Sequence, residues 1–530
     1  MGFQVITPFS IRLGVVGAGT MGSGITLAAL LNALPVTLYD ISPEMLASAI
    51  AYLENHLNRK NKADNLHLLT KSTDLEGLRG CNLIIEAAPE NLALKTEIFS
   101  QLEKICPAPA ILATNTSTLS VTAIAAAIST PERVVGMHFF NPAAVLPLVE
   151  VIQASQTRPE VVSTVFAVAE KLGKTPIRAK DVPGFIVNRV ARPFYGEALR
   201  LEGEGAAAHD QIDLLARLGA GFRMGPFELM DLIGIDVNFA AMHSMYEQTW
   251  GEPRYRPHQL QRQKVLQKTL GRKSGRGFYE YSAGSAGPHL PDPPRPQKKQ
   301  GFIVVGSGSW APGLVSALEA GGYTPLTKMT DSDGPALAAF LPAGRRENPA
   351  ENLAEIEHQI SPEAPVFVQA CDLTLAEAAG WARYPQRLIG FDSLFCASGQ
   401  AVELVAGPWT AEETRQSASQ LLQGLGKIPC WIADSPGLVL PRLIAMLANE
   451  AAFAVLEGVA AGDQIDQAMQ LGVNYPKGPL TWARELGYAQ ILAVLDHLYT
   501  EYHEVRYRAA PNLRQWVRLE KIQAKLNIGG

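Results

Sequence analysis

A short apolar run from Ile11 to Val16 ends in Gly17-Ala18-Gly19-Thr20-Met21-Gly22-Ser23-Gly24 and passes into a helical pattern over Ile25 to Leu31. The pattern predicts strand, tight turn and helix. Val36 to Tyr39 is a second strand-like run closing on Asp40, after which Ser42-Pro43-Glu44 supplies an N-cap serine with proline at the first helical position. Together these pieces make one βαβ unit. Further strands fit Leu83 to Ala87, Ile111 to Thr114, Val134 to His138 and Leu148 to Ile152, with helical stretches between most of them. A twisted, largely parallel α/β sheet is the economical reading. From Gly184 the strand pattern stops and long helical periodicity takes over.

The segment from Tyr281 to Gly301 is rich in proline, carries no amphipathic pattern and reads as a linker. Beyond it the chain repeats itself. Laying Gly184 over Gly437, an offset of 253 residues, superposes Arg189 on Arg442, Glu197 on Glu450, Glu204 on Glu457, Asp213 on Asp466 and Gly225-Pro226 on Gly478-Pro479 without a gap. The helical domain is therefore duplicated. The sheet domain follows suit, since Gly306-Ser307-Gly308-Ser309-Trp310-Ala311 succeeds the apolar run Phe302 to Val305. The expected order is a dinucleotide-binding (Rossmann-type) α/β domain over 1–182 and an all-α domain over 183–281. A linker over 282–300, a degenerate Rossmann-like domain over 301–430 and a second helical domain over 431–530 complete it.

At 530 residues the chain exceeds what one hydrophobic core organises, in keeping with several domains. A formal net charge of −5 leaves no basic excess to neutralise phosphates, so no nucleic-acid partner is expected. The first residues lack a basic stretch ahead of a long apolar one, and no apolar run reaches the roughly 18 residues of a membrane span. No membrane partner is expected. The five cysteines, Cys81, Cys106, Cys371, Cys396 and Cys430, form neither a CxxC nor a Cys/His cluster, which suggests reduced thiols, a cytoplasmic protein and no metal site.

A chance G-x-G-x-x-G is expected roughly 0.3 times at this glycine content, so its context decides. Gly17 allows the tight turn, Gly19 lets backbone N–H groups approach a pyrophosphate, and Gly22 permits close helix packing, with Thr20 and Met21 in the helix's first turn. Asp40 ends the second strand, where a carboxylate can hydrogen-bond the adenosine ribose and repel a 2′-phosphate. NAD is favoured over NADP. Further on, His138 is the side chain able to exchange a proton near neutrality, and Glu150 is a carboxylate spaced to stabilise its imidazolium.

Asn115-Thr-Ser117-Thr-Leu-Ser, then Gly136-Met-His138-Phe-Phe-Asn141-Pro with Leu148-Val-Glu150-Val, then Pro183-Gly-Phe-Ile-Val-Asn188-Arg, resemble the successive motifs of the L-3-hydroxyacyl-CoA dehydrogenases. The two-copy layout, with Gly472-Val-Asn-Tyr-Pro-Lys-Gly-Pro, is similar to the long bacterial branch assigned to phenylacetate degradation, the 3-hydroxyadipyl-CoA or 3-hydroxybutyryl-CoA dehydrogenases. The resemblance covers roughly residues 10 to 280 and 430 to 510 and is thin over 301 to 430. It implies NAD-dependent oxidation of a 3-hydroxyacyl-CoA thioester, with His138 as general base and Glu150 holding its tautomer. It further implies that Ser117 and Asn188 bond substrate oxygens, that Glu90 and Lys95 contact the cofactor, and that Asn141 lies near the nicotinamide. Small members dimerise through the helical domain, so the second helical copy is expected to act as an internal dimer partner, with a further homo-oligomer left open.

Two departures stand out. The stretch from Leu53 to Thr73 is shorter than the arm many relatives insert to clamp coenzyme A, although Arg59, Lys60 and Lys62 remain as candidate phosphate contacts or as a solvated charge run. In the second half Ala311 replaces the third glycine, Lys328 to Thr330 stand where Asp40 would be, Asp392 where His138 would be, and Pro441 replaces Asn188. A second catalytic centre is not expected. Two other readings stay open here: another dehydrogenase of the same fold, of the β-hydroxyacid type, and a crystallin-like non-enzymatic binding protein.

Overall fold

The structure is a computed structural model that describes residues 11–106, 108–281, 287–297, 301–306, 311–327, 336–341 and 363–527, with 351, 353–354, 356–357 and 360–361 between them. Gly308 and Lys328 to Thr330, singled out above, lie outside the described residues. The chain forms two compact units, one made of residues 1–190 with 454–478 and the other of residues 191–453 with 479–530. The units thus cut across the domain order expected from the sequence, because part of the second helical stretch belongs with the first sheet.

The first unit is built on eight strands, β1 (Leu13–Val16), β2 (Val36–Tyr39), β3 (Leu69–Ser72), β4 (Leu83–Glu86), β5 (Ile111–Thr114), β6 (Val134–Phe139), β7 (Leu148–Gln153) and β8 (Thr175–Lys180). Their spatial order is β3-β2-β1-β4-β5-β6-β7-β8, parallel throughout except where β6 meets β7 antiparallel. The helices are α1 (Thr20–Leu31), α2 (Pro43–Arg59), α3 (Leu92–Ile105), α4 (Val121–Ala125), α5 (Pro159–Lys171) and α6 (Val187–Val190). Central strands read as continuous apolar runs because both faces are covered: Val15, Ile85 and Met137 join the core that α1, α2 and α5 close. Ser42 caps α2 as the sequence suggests, accepting from the Met45 N–H at 3.1 Å.

Two strands escaped the sequence reading. β3 is a partly exposed edge strand with no apolar run, and β8 alternates buried Ile177 and Ala179 with exposed Arg178 and Lys180. Pro176 in β8 is tolerated because β8 pairs on one side only.

The second unit carries a seven-stranded sheet of the same plan: β9 (Phe302–Val305), β10 (Thr324–Leu326), β11 (Ala338–Leu341), β12 (Val366–Gln369), β13 (Leu388–Phe391), β14 (Ala401–Val405) and β15 (Ile428–Ile432). Its order, β10-β9-β11-β12-β13-β14-β15, repeats that of the first sheet with no counterpart of β3 among the described residues, and β13 meets β14 antiparallel as β6 meets β7. The duplicated Rossmann-type fold with a diverged second copy is what the sequence predicted. The helices also exchange places. Gly462–Val473 packs on β7 and α6 in the first unit, while its counterpart turn Leu215–Gly219 packs on β14 in the second.

Candidate active site

Four loops leave the carboxyl ends of β1, β4, β5 and β6, where an open parallel sheet offers a crevice to ligands. After β1, Gly17 adopts φ +98°, and an added Cβ would sit 2.9 Å from the Ala87 carbonyl oxygen. A side chain is excluded there twice over. A Cβ on Gly22 would collide with the Gly17 carbonyl, whereas one on Gly19 would meet nothing within 4 Å. Gly19 therefore keeps open the space a pyrophosphate would enter at the N-terminus of α1, and the residues fit a dinucleotide. The loop opens on a cleft of about 720 Å³ lined by Gly17, Gly19, Thr20, Met21 and Asp40. A smaller cleft of about 260 Å³ shares Gly19 and Thr20 and reaches Asn141, which is exposed.

Asp40 is fixed by the loop it faces, its two oxygens accepting from the N–H groups of Ala18 at 2.7 Å and Ser42 at 2.9 Å. With that carboxylate expected to meet the adenosine ribose, NAD is expected to exceed NADP in kcat/KM by about a hundredfold or more, because a like-charge contact costs several kcal/mol. Asp40→Ala should narrow the gap chiefly by raising the KM for NAD, since it also releases the Ala18 N–H. Comparable rates with both cofactors in the unmodified protein would contradict this placement.

After β4, Glu90 accepts from the Thr116 hydroxyl at 2.6 Å and from the N–H groups of Ser117 and Thr118, each at 2.9 Å. Burial pushes the Glu90 carboxyl up, yet those bonds and the Lys95 ammonium outweigh it and hold the group below the usual carboxylate range. Lys95 is only 1% exposed, its Nζ lying 2.7 Å from Glu86, 3.0 Å from the Ala88 carbonyl and 3.6 Å from Glu90. Lys95 thus anchors the β4 loop from a buried position, and Glu90 braces the loop that carries Ser117.

His138 on β6 stands directly across from Glu150 on β7, and its Nδ1 lies 2.7 Å from Glu150 Oε2. A carboxylate can only accept, so Nδ1 carries the hydrogen and Nε2 is left as the acceptor. Glu150 is fully buried, and its other oxygen accepts from the N–H groups of Ile186 at 3.0 Å and Val187 at 2.9 Å. Those donors are presented by a turn in which Gly184 and Phe185 take φ of +76° and +47°. One carboxylate therefore orients the imidazole and the start of α6 together. The rings of Phe140 and Phe185 flank the imidazole at 4.5 and 5.9 Å. Asn188, next in α6, donates to the Ser117 carbonyl at 3.4 Å, so the two polar groups expected to meet substrate are adjacent.

The second sheet shows what remains of this arrangement. Glu403 occupies the place of Glu150 and accepts from the N–H groups of Val439 and Leu440, both at 2.7 Å. The residue opposite is Asp392, fully buried and tied to the N–H groups of Leu394 at 2.8 Å and Phe395 at 3.2 Å. Burial raises both acids. No imidazole stands there.

Residues 12–182 match the model of the 3-hydroxyacyl-CoA dehydrogenase NAD-binding domain, and residues 184–281 and 437–529 each match that of the 3-hydroxyacyl-CoA dehydrogenase C-terminal domain. The chain is 39% identical over 518 residues to a 3-hydroxyadipyl-CoA dehydrogenase of Escherichia coli, covering 96% of this chain and 98% of that protein. The chain belongs to the 3-hydroxyacyl-CoA dehydrogenase family. It is an NAD-dependent oxidoreductase of that family. A solved 3-hydroxybutyryl-CoA dehydrogenase from Escherichia coli K12 superposes with a TM-score of 0.78 at 37% identity, over 96% of this chain and 99% of that one. The (S)-3-hydroxybutyryl-CoA dehydrogenase of Ralstonia eutropha, 41% identical with a TM-score of 0.50, covers 52% of this chain while matching all of its own length.

Several supports of this dehydrogenase site were not foreseen. Asn115 accepts from the Phe139 N–H at 2.8 Å and so ties the β5 loop to the end of β6. Glu86 receives both Lys95 and the Thr114 hydroxyl, each at 2.7 Å. An acidic residue ending a buried strand is the signal that could have found Glu86, because a buried carboxylate demands a cation.

Proposed function

We propose that the chain oxidises an L-3-hydroxyacyl-CoA to the 3-oxoacyl-CoA in the cytoplasm, within phenylacetate or β-oxidation-type catabolism. The observation that carries the mechanism is the buried His138–Glu150 pair at 2.7 Å. His138 Nε2 takes the proton of the 3-hydroxyl while the C3–H bond breaks and the C3–O double bond forms. NAD, when bound, accepts the hydride from C3. Glu150 compensates the imidazolium charge, and Ser117 and Asn188 hold the substrate oxygens. The five described cysteines are all free and buried, and no described helix is long and apolar enough to cross a membrane. NADH formation from L-3-hydroxybutyryl-CoA and L-3-hydroxyadipyl-CoA tests the reading. Absence of turnover on both and on longer thioesters would overturn it.

One active site per chain follows from the loss of the Gly22, Asp40, His138 and Asn188 equivalents at Ala311, Met329, Asp392 and Pro441, which removes both cofactor recognition and proton transfer. Calorimetric titration with NADH is expected to saturate at one equivalent per polypeptide, and a second equivalent would contradict this.

Reciprocal contacts support the second helical copy as an internal dimer partner. Glu197 takes Arg442 Nε at 3.0 Å together with Arg506 and Tyr507, and its counterpart Glu450 takes Arg254 at 2.7 Å and Tyr255 at 2.6 Å. Arg442 pairs with Glu204 at 2.9 Å just as Arg189 pairs with Glu457 at 2.7 Å. Residue i meeting j while j meets i is the pattern expected of a two-fold partner. Burial alone would raise the Glu197 carboxyl, but Arg506, Arg442 and Arg200 bring it down to about 2.

A further inference from the structure

The stretch 454–478, which comes from the second copy, lies against the elements that aim the first copy's catalytic groups. An added Cβ on Gly472 would stand 2.7 Å from Leu148 Cδ2, 3.2 Å from Val187 Cγ2 and 3.6 Å from Phe140 Cε1. Each of those residues neighbours a proposed catalytic group along the chain or in space. Leu148 precedes Glu150 by two residues on β7, on the same face. Val187 donates its N–H to Glu150 and precedes Asn188, and Phe140 packs on the His138 ring. The absence of a side chain at 472 is what lets the helix Gly462–Val473 sit that close. A second tie lies one residue beyond Asn188, where Arg189 Nη1 meets Glu457 Oε2 at 2.7 Å. A third joins the end of β8, whose Lys180 N–H donates to the Val459 carbonyl at 3.0 Å and whose Nζ reaches the Glu457 carbonyl at 3.2 Å.

We propose that Gly472 and Glu457 of the degenerate copy are positioning residues for the dehydrogenase reaction of the first copy, whose active site is incomplete without them. The inference rests on the assignment of His138, Glu150 and Asn188 given under the proposed function. It also gives the second half a role that its own lost chemistry does not. The half that cannot turn over substrate is kept because it backs the half that can.

The duplication supplies a matched control. Gly219 is the counterpart of Gly472 and is pressed against Leu440, the first residue of the helix Leu440–Leu456, with the Ala401 carbonyl of β14 nearby, while Glu204 is the counterpart of Glu457 and holds Arg442. Gly472→Val and Gly219→Val therefore crowd equivalent positions of the two copies, of which one carries the intact catalytic set. Gly472→Val should lower kcat by about tenfold to a hundredfold, the scale set by small misplacements of reacting groups. It should also move the pH midpoint of kcat/KM and leave NADH affinity near wild type. Gly219→Val should lose a similar amount of thermal stability and keep kcat. If either valine variant fails to fold, Glu457→Ala against Glu204→Ala decides in the same way. Equal kcat within each pair would overturn the proposal while leaving the dehydrogenase reading intact, whereas an inactive wild type would overturn that reading itself.

Discussion

His138→Gln is expected to lower kcat by about a hundredfold to ten-thousandfold, the usual scale for loss of general acid–base catalysis, with NADH affinity close to wild type. Glutamine is chosen because its amide N–H can still donate to Glu150, so the buried carboxylate keeps a partner and the stability cost stays small. What disappears is the ring nitrogen proposed to take the hydroxyl proton. The glycine loop and Asp40 are held by bonds independent of His138, through Ala18 and Ser42, so cofactor binding is left alone. Steady-state rates on 3-hydroxyacyl-CoA thioesters with NADH fluorescence titration alongside make the comparison. Turnover within a few-fold of wild type would remove His138 from the reaction.

The parts of the fold legible in the sequence are those with a strong local cause. Fully buried parallel strands such as Ile111–Thr114 announce themselves as apolar runs, and Ser42-Pro43 announces the start of α2. Edge strands β3 and β8 were not legible, because a strand covered on one side carries little apolar signal. The same division runs through the site. His138 and Glu150 stand out because their residue types and spacing are chemical demands on the chain itself, whereas Ser117 and Asn188 are legible only through the motifs that resemble the family. The bond from Ala18 to Asp40, the Glu86–Lys95 pair and the seat around Gly472 depend on which segments meet in space. The last of these joins Gly472 to Val187 and to Leu148 and Phe140, the latter two more than three hundred positions away. Register in the duplicated sequence shows that Gly219 and Gly472 correspond, but only the fold shows that each is pressed against the other copy's sheet.

Glu150→Gln is expected to cost about a thousandfold to ten-thousandfold in kcat, a loss on the scale of a catalytic histidine held in the wrong tautomer. The reason lies in the number of donors the carboxylate serves. Oε1 accepts from Ile186 and Val187, and Oε2 accepts from His138. An amide has one oxygen. If that oxygen stays with the two backbone donors, the amide nitrogen faces His138 Nδ1, which must then accept. Nε2 would carry the hydrogen and could no longer take one from substrate. If the amide flips, its hydrogens face two backbone N–H groups, and α6 loses its anchor at about 1–3 kcal/mol for the unsatisfied donors. Glu403 separates the two roles, because it serves Val439 and Leu440 alone and faces no imidazole. Glu403→Gln should therefore lower the melting temperature and leave kcat unchanged, whereas Glu150→Gln should lower both. A Glu150→Gln enzyme with near-normal kcat, or a Glu403→Gln enzyme that loses as much activity, would show that the buried carboxylate only anchors the helix.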